Sequence, residues 1–304
     1  MKDAEPQFTI REAVDDDIGP IVRLAGAALG WRPGDPNDAL FRWKHLENPF
    51  GRSAMWVAEA DDGLIGFRAY MRWSFVEPGG AVLRAARAVD TATHPDHQGR
   101  GIFSKLTMHG LDGLRDEGVA FVFNTPNDQS RPGYLKLGWR EIGRLGVAAT
   151  VRRPHRLLTA RRPADKWSLP NDAGVAVAEI LDRIRSTGPD AITTLRTPEY
   201  LDWRYRFEPL AYRGFDHPDG RAIFRLRSRG RAVECTACEL DGGRRLLRAL
   251  ARETHADYVL VAGRPAGTVP VVGQGPIVTT RDVAGVAPVS IDQLALALGD
   301  VELF

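Results

Sequence analysis

Residues 91–106 read Thr-Ala-Thr-His-Pro-Asp-His-Gln-Gly-Arg-Gly-Ile-Phe-Ser-Lys-Leu, and they join an extended run to a helical pattern. Gly99 and Gly101 let the backbone approach an anion closely, because glycine has no Cβ atom. The helix that follows begins with free N–H groups and the positive end of its dipole, and both favour negative charge. Arg100 adds a cation at the same place. The stretch suits a phosphate group, although the glycines alone favour a turn that only starts a helix.

The segments around this turn alternate between strand and helix patterns. Upstream, the patterns predict a strand over 7–13, helices over 18–29 and 37–46, and extended runs over 54–59, 64–73 and 81–93. Downstream, they predict a helix over 99–117, a strand over 119–124, a short helix over 129–137 and a strand from residue 139. This order predicts a mixed α/β domain over residues 1–150.

The second half of the chain repeats part of the first. ALFRWKHLENPF (39–50) aligns with EYLDWRYRFEPL (199–210), which places Trp43 opposite Trp203. After this echo, strand patterns over 221–227 and 232–240, a helix over 244–254 and a strand over 258–262 follow in the same order. A matched order of elements favours an internal duplication. We therefore expect an α/β (α+β mixed sheet) fold with a second domain over 151–304, preceded by a basic connector over 152–166.

Composition excludes several classes of protein. The chain has 304 residues, 43% of them hydrophobic and 26% charged, which is typical of a folded globular protein rather than a disordered one. Two cysteines cannot form a disulfide scaffold, so a cytoplasmic protein is expected. We find no signal-peptide pattern and no apolar run of about 18 residues, and therefore expect no membrane partner. A net charge of +2 provides little field for nucleic acid, and no nucleic-acid partner is expected.

The turn and its flanks resemble the acyl-CoA site of the GNAT N-acetyltransferase superfamily. Gln98-x-x-Gly101, with His94-Pro95 upstream, is similar to the family's pyrophosphate loop. Phe121–Asn124 looks like the next strand, and the segment from Asn127 to Trp139 looks like the helix and turn that follow. Phe103 is a departure, since many members have Gly or Ala there.

The second half resembles a degenerate copy of the same fold. Where the loop would fall it has Asp241-Gly-Gly-Arg-Arg245, without the Gln-x-x-Gly pattern. The resemblance thus implies a tandem protein of two GNAT-like domains, with an intact N-terminal half and no CoA in the C-terminal half.

The resemblance also implies a site with acetyl-CoA as co-substrate and no metal. The backbone of Thr91, Ala92 and Thr93 would pair with the pantetheine arm. The pyrophosphate would be held by the turn and the first helical residues, which are Gln98, Gly99, Arg100, Gly101, Ile102, Phe103 and Ser104. Asn124 and Asn127 would lie beside the cofactor.

Two catalytic roles follow from the same resemblance. Tyr134 would be the general acid that protonates the departing thiolate. The base stays open between Asp90, the terminal carboxylate of Phe304 and a water relay.

The implied activity is transfer of an acetyl group to a primary amine of a small molecule, by direct attack of the amine on the thioester. Two alternatives remain: a non-catalytic acyl-CoA-binding or sensor protein, and an aminoacyl-tRNA-dependent transferase with a tandem GNAT-like fold. The intact loop argues against the tRNA-dependent class, and Tyr134 argues against the sensor.

Overall fold

The computed structural model describes residues 8–61, 63–157, 163–184 and 190–302. The chain forms two compact units. The first contains the described residues up to Phe75, Val82–Glu141 and Thr279–Val289; the second contains Val76–Ala81, Ile142–Val278 and the described residues from Ser290. The predicted α/β class is confirmed. The second segment of the first unit ends at Glu141. The predicted domain boundary after residue 150 stays a prediction.

The N-terminal part of the chain follows the predicted order of elements. It contains β1 (Thr9–Glu12), α1 (Ile18–Leu29), α2 (Asn37–His45), β2 (Ala54–Ala60), β3 (Gly63–Val76), β4 (Val82–Thr93), α3 (Ile102–Asp116), β5 (Phe121–Asn124), α4 (Arg131–Lys136), β6 (Arg140–Arg144) and β7 (Val147–Val151).

The rest of the chain is richer in strands. It contains α5 (Pro154–Leu157), β8 (Ile192–Thr194), α6 (Pro198–Tyr205), β9 (Arg213–His217), β10 (Gly220–Arg229), β11 (Ala232–Gly242), α7 (Arg244–Glu253), β12 (Tyr258–Ala262), β13 (Val269–Pro270), β14 (Ile277–Asp282) and β15 (Leu294–Ala295). Among the described residues, no helix is both long enough and apolar enough to cross a bilayer.

The sheet of the first unit runs in the order β1-β2-β3-β4-β5-β14. The first three strands are antiparallel neighbours, and α3 connects the parallel pair β4 and β5. The parallel ladder joins three residue pairs, from Ala85–Phe121 to Arg87–Phe123, while β4 continues to Thr93. The last residues of β4 therefore extend beyond the ladder.

Two apolar clusters pack on the sheet of the first unit. Trp56 and Tyr70 of the sheet pack with α3. In the other cluster, Phe67 of the sheet packs with Phe41 of α2 and with α1. Gly110 of α3 lies against the first of these clusters, and a Cβ atom there would come within 2.6 Å of the Tyr70 ring. Glycine therefore allows α3 to approach the sheet closely.

The sheet of the second unit runs in the order β13-β7-β12-β11-β10-β9. Here α7 connects β11 and β12, which form a parallel ladder. Its first residue pair is Glu234 with Tyr258, and its last is Thr236 with Leu260. Leu246, Leu250 and Phe224 are fully buried between α7 and this sheet.

Each sheet contains a strand from the other half of the sequence. The strand β14 pairs antiparallel with β5, and β7 pairs antiparallel with β12. The predicted basic connector begins just after β7, where Arg152 donates hydrogen bonds to the carbonyls of Ala256 and His255. Residues 158–162 of the connector lie outside the described residues.

Candidate functional site

The turn between β4 and α3 is exposed and has the backbone that its glycines predict. Gly99 and Gly101 have φ angles of 76° and 75°, in the left-handed region that favours glycine. The helix therefore begins at Ile102 rather than at Gly99 as the pattern suggested. A Cβ atom at either glycine would meet nothing within 4 Å, so the turn borders open space.

The N-terminus of α3 has no side-chain cap. Its N-cap residue is Gly101, and α3 is 15 residues long. The first N–H groups of a helix have no partner inside the helix, and together with the dipole they attract anions. The turn and the helix end therefore form a surface suited to a phosphate group, with Arg100 exposed beside it.

The end of β4 lies next to this turn. Thr91 and Thr93 are half-buried and Ala92 is buried. The Thr91 hydroxyl donates to the Phe67 carbonyl at 3.1 Å, which fixes this side chain on β3. The three residues predicted to hold the pantetheine thus form the end of β4 beyond the parallel ladder.

Tyr134 is buried on α4 and lies among aromatic rings. Its ring centroid is 5.3 Å from that of Phe103 and 5.2 Å from that of Trp139. Phe103 belongs to the first turn of α3, so its ring connects the start of that helix to Tyr134. The departure from the family pattern at Phe103 thus contributes directly to the surroundings of Tyr134.

Arg68 holds the hydroxyl of Tyr134, a contact that the local sequence pattern does not reveal. Its Nη1 donates to the Tyr134 oxygen at 2.6 Å, and the arginine is fully buried on β3. Because the oxygen accepts from Arg68, the hydroxyl proton of Tyr134 is free to be donated elsewhere. The only signal in the sequence was a cationic residue within the apolar run Leu64–Met71.

The charge of Arg68 is surrounded by aromatic rings. Its guanidinium lies 4.6 Å from the Tyr70 ring centroid and 5.1 Å from that of Tyr134. Its Nε and Nη2 have no hydrogen-bond partner among the described residues. Burial by itself would lower the pKa of Arg68, but the two phenol groups outweigh burial and raise it. The site therefore keeps a permanent positive charge beside Tyr134.

Asp90 lies on β4, one residue before the predicted pantetheine segment, and is held by two residues of α2. Its Oδ2 accepts hydrogen bonds from Lys44 Nζ and from His45 Nε2, the latter at 2.9 Å. Burial by itself would raise the pKa of Asp90, but the charge of Lys44 and the hydrogen bond from His45 hold it well below its ordinary value. The carboxylate is thus a fixed anion that accepts a proton poorly at neutral pH.

His45 connects Asp90 to Ser53. Its Nδ1 lies 2.8 Å from the Ser53 hydroxyl, and the imidazole is fully buried. Burial lowers the pKa of His45, although Asp90 acts in the opposite direction. A neutral ring satisfies both contacts when Nε2 carries the proton and Nδ1 accepts from the serine. Lys44, His45 and Ser53 were absent from the predicted site.

The two predicted asparagines have different surroundings. Asn124 is buried at the end of β5, where its Oδ1 accepts from the Thr279 hydroxyl of β14. Asn127 is exposed, and its Oδ1 accepts from the backbone N–H groups of Gln129 and Ser130 at 3.1 and 2.8 Å. Asn127 therefore caps the turn that leads into α4. Phe304 lies outside the described residues.

Comparison with known proteins identifies a family for the N-terminal part of the chain. Residues 9–142 match the family described as acetyltransferase (GNAT) domain. This segment is a GNAT acetyltransferase domain. The matched range includes the glycine-rich turn, Arg68, Asp90 and Tyr134.

A curated relative matches part of the chain. It is a mycothiol acetyltransferase from Rhodococcus jostii (strain RHA1), 28% identical over 159 residues, which are 47% of this chain and 51% of that protein. The chain therefore spans about half the length of this curated relative.

Solved structures resemble the chain over more than the GNAT domain. A GCN5-related N-acetyltransferase from Kribbella flavida aligns with a TM-score of 0.65 and 16% identity, over 92% of this chain and 72% of that one. Eis1 from Mycobacterium abscessus aligns with a TM-score of 0.58 and 17% identity, over 91% of this chain and 74% of that one. At these identities the likeness shows the fold alone, and that fold includes residues of both units.

Proposed function

We propose that the protein is an acetyl-CoA-dependent N-acetyltransferase that transfers an acetyl group to a primary amine of a small molecule. One observation carries the proposal. The turn at Gly99 and Gly101 leads into an uncapped helix whose first turn places Phe103 against Tyr134. A surface suited to phosphate and a buried phenol are thus linked by a single side chain.

The residues of the turn fit the pyrophosphate of acetyl-CoA. The glycines leave open space at the turn, and the first N–H groups of α3 are not used by a side-chain cap. Arg100 adds an exposed positive charge, and Thr91–Thr93 would align the pantetheine arm along the end of β4. Bound acetyl-CoA would supply an activated acetyl group in the form of a thioester.

In the proposed reaction, the residues of this chain orient the reactants and move protons. The nitrogen of a neutral amine attacks the thioester carbonyl, the carbon–sulfur bond breaks, and Tyr134 gives its proton to the sulfur. Arg68 stabilises the negative charge that remains on the tyrosine oxygen. A backbone N–H at the end of β4 would stabilise the carbonyl oxygen as it becomes negative.

Asp90 suits a positioning role better than that of a base. It stays ionised because Lys44 and His45 hold it, and its side chain remains 18% exposed. Because Lys44 balances its charge, the carboxylate positions α2 against the end of β4. The proton lost by the amine would then go to the carboxylate of Phe304 or to water.

We also propose that the second unit is a degenerate copy of the GNAT domain. Two features support a duplication. The order β9-β10-β11-β12 with the inserted strand β7 repeats the order β2-β3-β4-β5 with the inserted strand β14. In addition, equivalent hydrogen bonds occur in the two units. Asp90, three residues after the last β4 residue paired with β5, accepts from His45. Glu239, three residues after the last β11 residue paired with β12, accepts from Tyr205.

The name of the Rhodococcus relative supports a small molecule as the acceptor. The deciding experiment is a calorimetric titration of the full chain with acetyl-CoA and with CoA, followed by release of free thiol on a panel of small amines. We expect binding of both cofactors at one site and turnover with at least one amine. Absence of CoA binding would refute the proposal, and binding without any turnover would favour the sensor.

A further inference from the structure

The outer face of α7 carries a row of four arginines. Arg244, Arg248 and Arg252 follow one another at intervals of four residues, and Arg245 lies beside the first of them. All four are exposed. Because an α-helix turns by about 100° per residue, their side chains leave the helix within about 100° of arc, over a length of about 12 Å. We call this surface the arginine row.

The opposite face of α7 holds the row in place. Leu246, Leu247 and Leu250 are fully buried on the sheet of the second unit. The stem of Arg244 lies on the loop after β12, where a Cβ atom at Gly267 would clash with it. The row therefore belongs to a firmly packed helix.

The positive charge of the row is largely uncompensated. Apart from Arg245, its arginines make no ion pair with any residue in the described part of the chain. Arg245 lies 3.7 Å from Asp219, but its side chain is 85% exposed, and such exposed pairs contribute little. Glu253, the only acid of α7, leaves the helix about 80° outside the arc of the row.

The row also opposes the dipole of its own helix. The N-cap of α7 is Gly243, no side chain caps it, and its first turn contains no acid. Arg244 and Arg245 thus add positive charge at the positive end of the helix, which destabilises it. The first turns of α2 and α6 contain Asp38 and Glu199 instead. The stability of α7 does not account for these arginines, whereas an anionic partner does.

The chemistry of the row indicates the kind of anion. A helix that enters a membrane surface needs a free apolar face, and among the described residues of α7 no large hydrophobic side chain is exposed. Guanidinium groups bind phosphate in a bidentate manner, and arginines in consecutive turns of one helix match a line of repeated phosphates. Such a line is the regular feature of a nucleic acid strand. The net charge of the chain is only +2, but α7 alone carries four arginines and one acid.

We propose that the arginine row binds the phosphate backbone of a nucleic acid duplex, without regard to base sequence. Arg244, Arg248 and Arg252 pair with neighbouring phosphates of one strand. This pairing releases counterions from the nucleic acid, so the affinity falls as salt is added. The proposal does not depend on acetyl transfer, because every group that it uses belongs to the second unit.

The test is fluorescence anisotropy of labelled duplexes titrated with the full chain, at salt concentrations from about 50 to 200 mM. The probes are a DNA duplex, a DNA duplex of scrambled sequence and an RNA duplex. Binding to the DNA or the RNA supports the proposal, and the tighter of the two identifies the class of nucleic acid. For DNA we expect the logarithm of the affinity to fall with the logarithm of the salt concentration at a slope of about −3.6, for four phosphate contacts.

Three results would overturn the proposal. The first is no binding to any duplex at the lowest salt concentration. The second is clear discrimination between the two DNA sequences. The third is tighter binding to vesicles of phosphatidylserine and phosphatidylcholine than to any duplex.

Variants locate the surface. Joint replacement of Arg244, Arg248 and Arg252 by Gln should reduce the magnitude of the salt slope by about three and weaken binding at about 50 mM salt at least about tenfold. Arg248→Gln alone should reduce the slope by about one, and it tests the row even if the triple variant fails to fold. Urea unfolding shows which variants are folded. An unchanged slope in folded Arg248→Gln would refute the assignment.

Three exposed arginines of the first unit, Arg23, Arg32 and Arg140, provide the matched control. Their joint replacement by Gln lowers the net charge by the same three units, from +2 to −1. We expect this variant to keep the salt slope and nearly the affinity of the parent. An equal loss in the control and in the row variant would show that overall charge, not the arginine row, is responsible.

Discussion

The Nη1 atom of Arg68 lies 2.6 Å from the phenolic oxygen of Tyr134, and neither residue is more than 3% exposed. This contact fixes the phenol by donating to its oxygen, so the proton of the phenol remains available. It also places a permanent cation where negative charge appears once that proton has left. The pair therefore supplies both the orientation and the electrostatic support that a general acid needs.

Replacement of Tyr134 by Phe tests the proposed general acid directly. The ring contacts with Phe103 and Trp139 are kept, and only the hydroxyl is lost. We expect kcat to fall about 100-fold or more, with little change in the affinity for acetyl-CoA. Steady-state kinetics on the best amine of the panel measure this.

Tyr70→Phe is the matched control, because this buried phenol also contacts Arg68 but donates its proton to the Thr107 carbonyl. It should leave kcat nearly unchanged. Full turnover in Tyr134→Phe would remove Tyr134 from the mechanism.

Arg68→Met removes the charged donor and leaves an apolar side chain of similar length. We expect kcat to fall about tenfold, since one charge-assisted hydrogen bond is lost. The double variant with Tyr134→Phe should be no slower than Tyr134→Phe alone, because the two changes remove the same interaction. Fully additive losses would show that Arg68 acts independently of the tyrosine.

Gly101→Ala tests the turn. A residue with a Cβ in the left-handed region costs roughly 1–2 kcal/mol, so the turn should shift and weaken binding of acetyl-CoA at least about tenfold. Gly118 is the control, since it ends the same helix with a φ angle of 73° and also has open space around it. Gly118→Ala should cost similar stability and leave the calorimetric Kd unchanged. An equal loss of binding in both variants would mean that strain, not the turn, is responsible.

Asp90→Asn tests the ion pair with Lys44. Neutralising the carboxylate of this largely buried pair removes its attraction to Lys44, and we expect the free energy of unfolding to fall by about 3 kcal/mol. Adding Lys44→Met should restore at least half of this loss. Urea unfolding of the single and double variants measures both effects. No recovery in the double variant would contradict the pairing.

Glu302 makes stability depend on pH. Burial would raise the pKa of Glu302, but Arg225, Arg204 and Arg227 lower it to about 2. Since the folded-state pKa lies below the unfolded-state value, the stabilisation is complete above about pH 4.5 and disappears as the pH falls through 2. It amounts to about 3 kcal/mol at neutral pH.

Glu302→Gln should therefore unfold at lower urea concentration than the parent at pH 7. The difference should shrink steadily below pH 4.5 and vanish near pH 2. A difference that stays constant over this range would exclude the carboxylate as its source.

Local patterning was enough to predict the strand, turn and helix of residues 82–116, and the order of elements in both halves. The glycines of the turn and the period of the helix are properties of neighbouring residues, so the sequence reveals them directly. The family resemblance added the candidate role of Tyr134.

The tertiary structure alone decided which distant side chains meet. Arg68 and Tyr134 are 66 residues apart, and Lys44 and Asp90 are 46 apart, so no local period records either contact. The same holds for β14, which pairs with β5 although Thr279 follows Asn124 by 155 residues. The alternation of a strand specifies which residues share a face but not which strand lies beside it. The sequence by itself therefore determined the elements and the glycine-rich turn, whereas packing across the chain decided the charges around Tyr134 and Asp90.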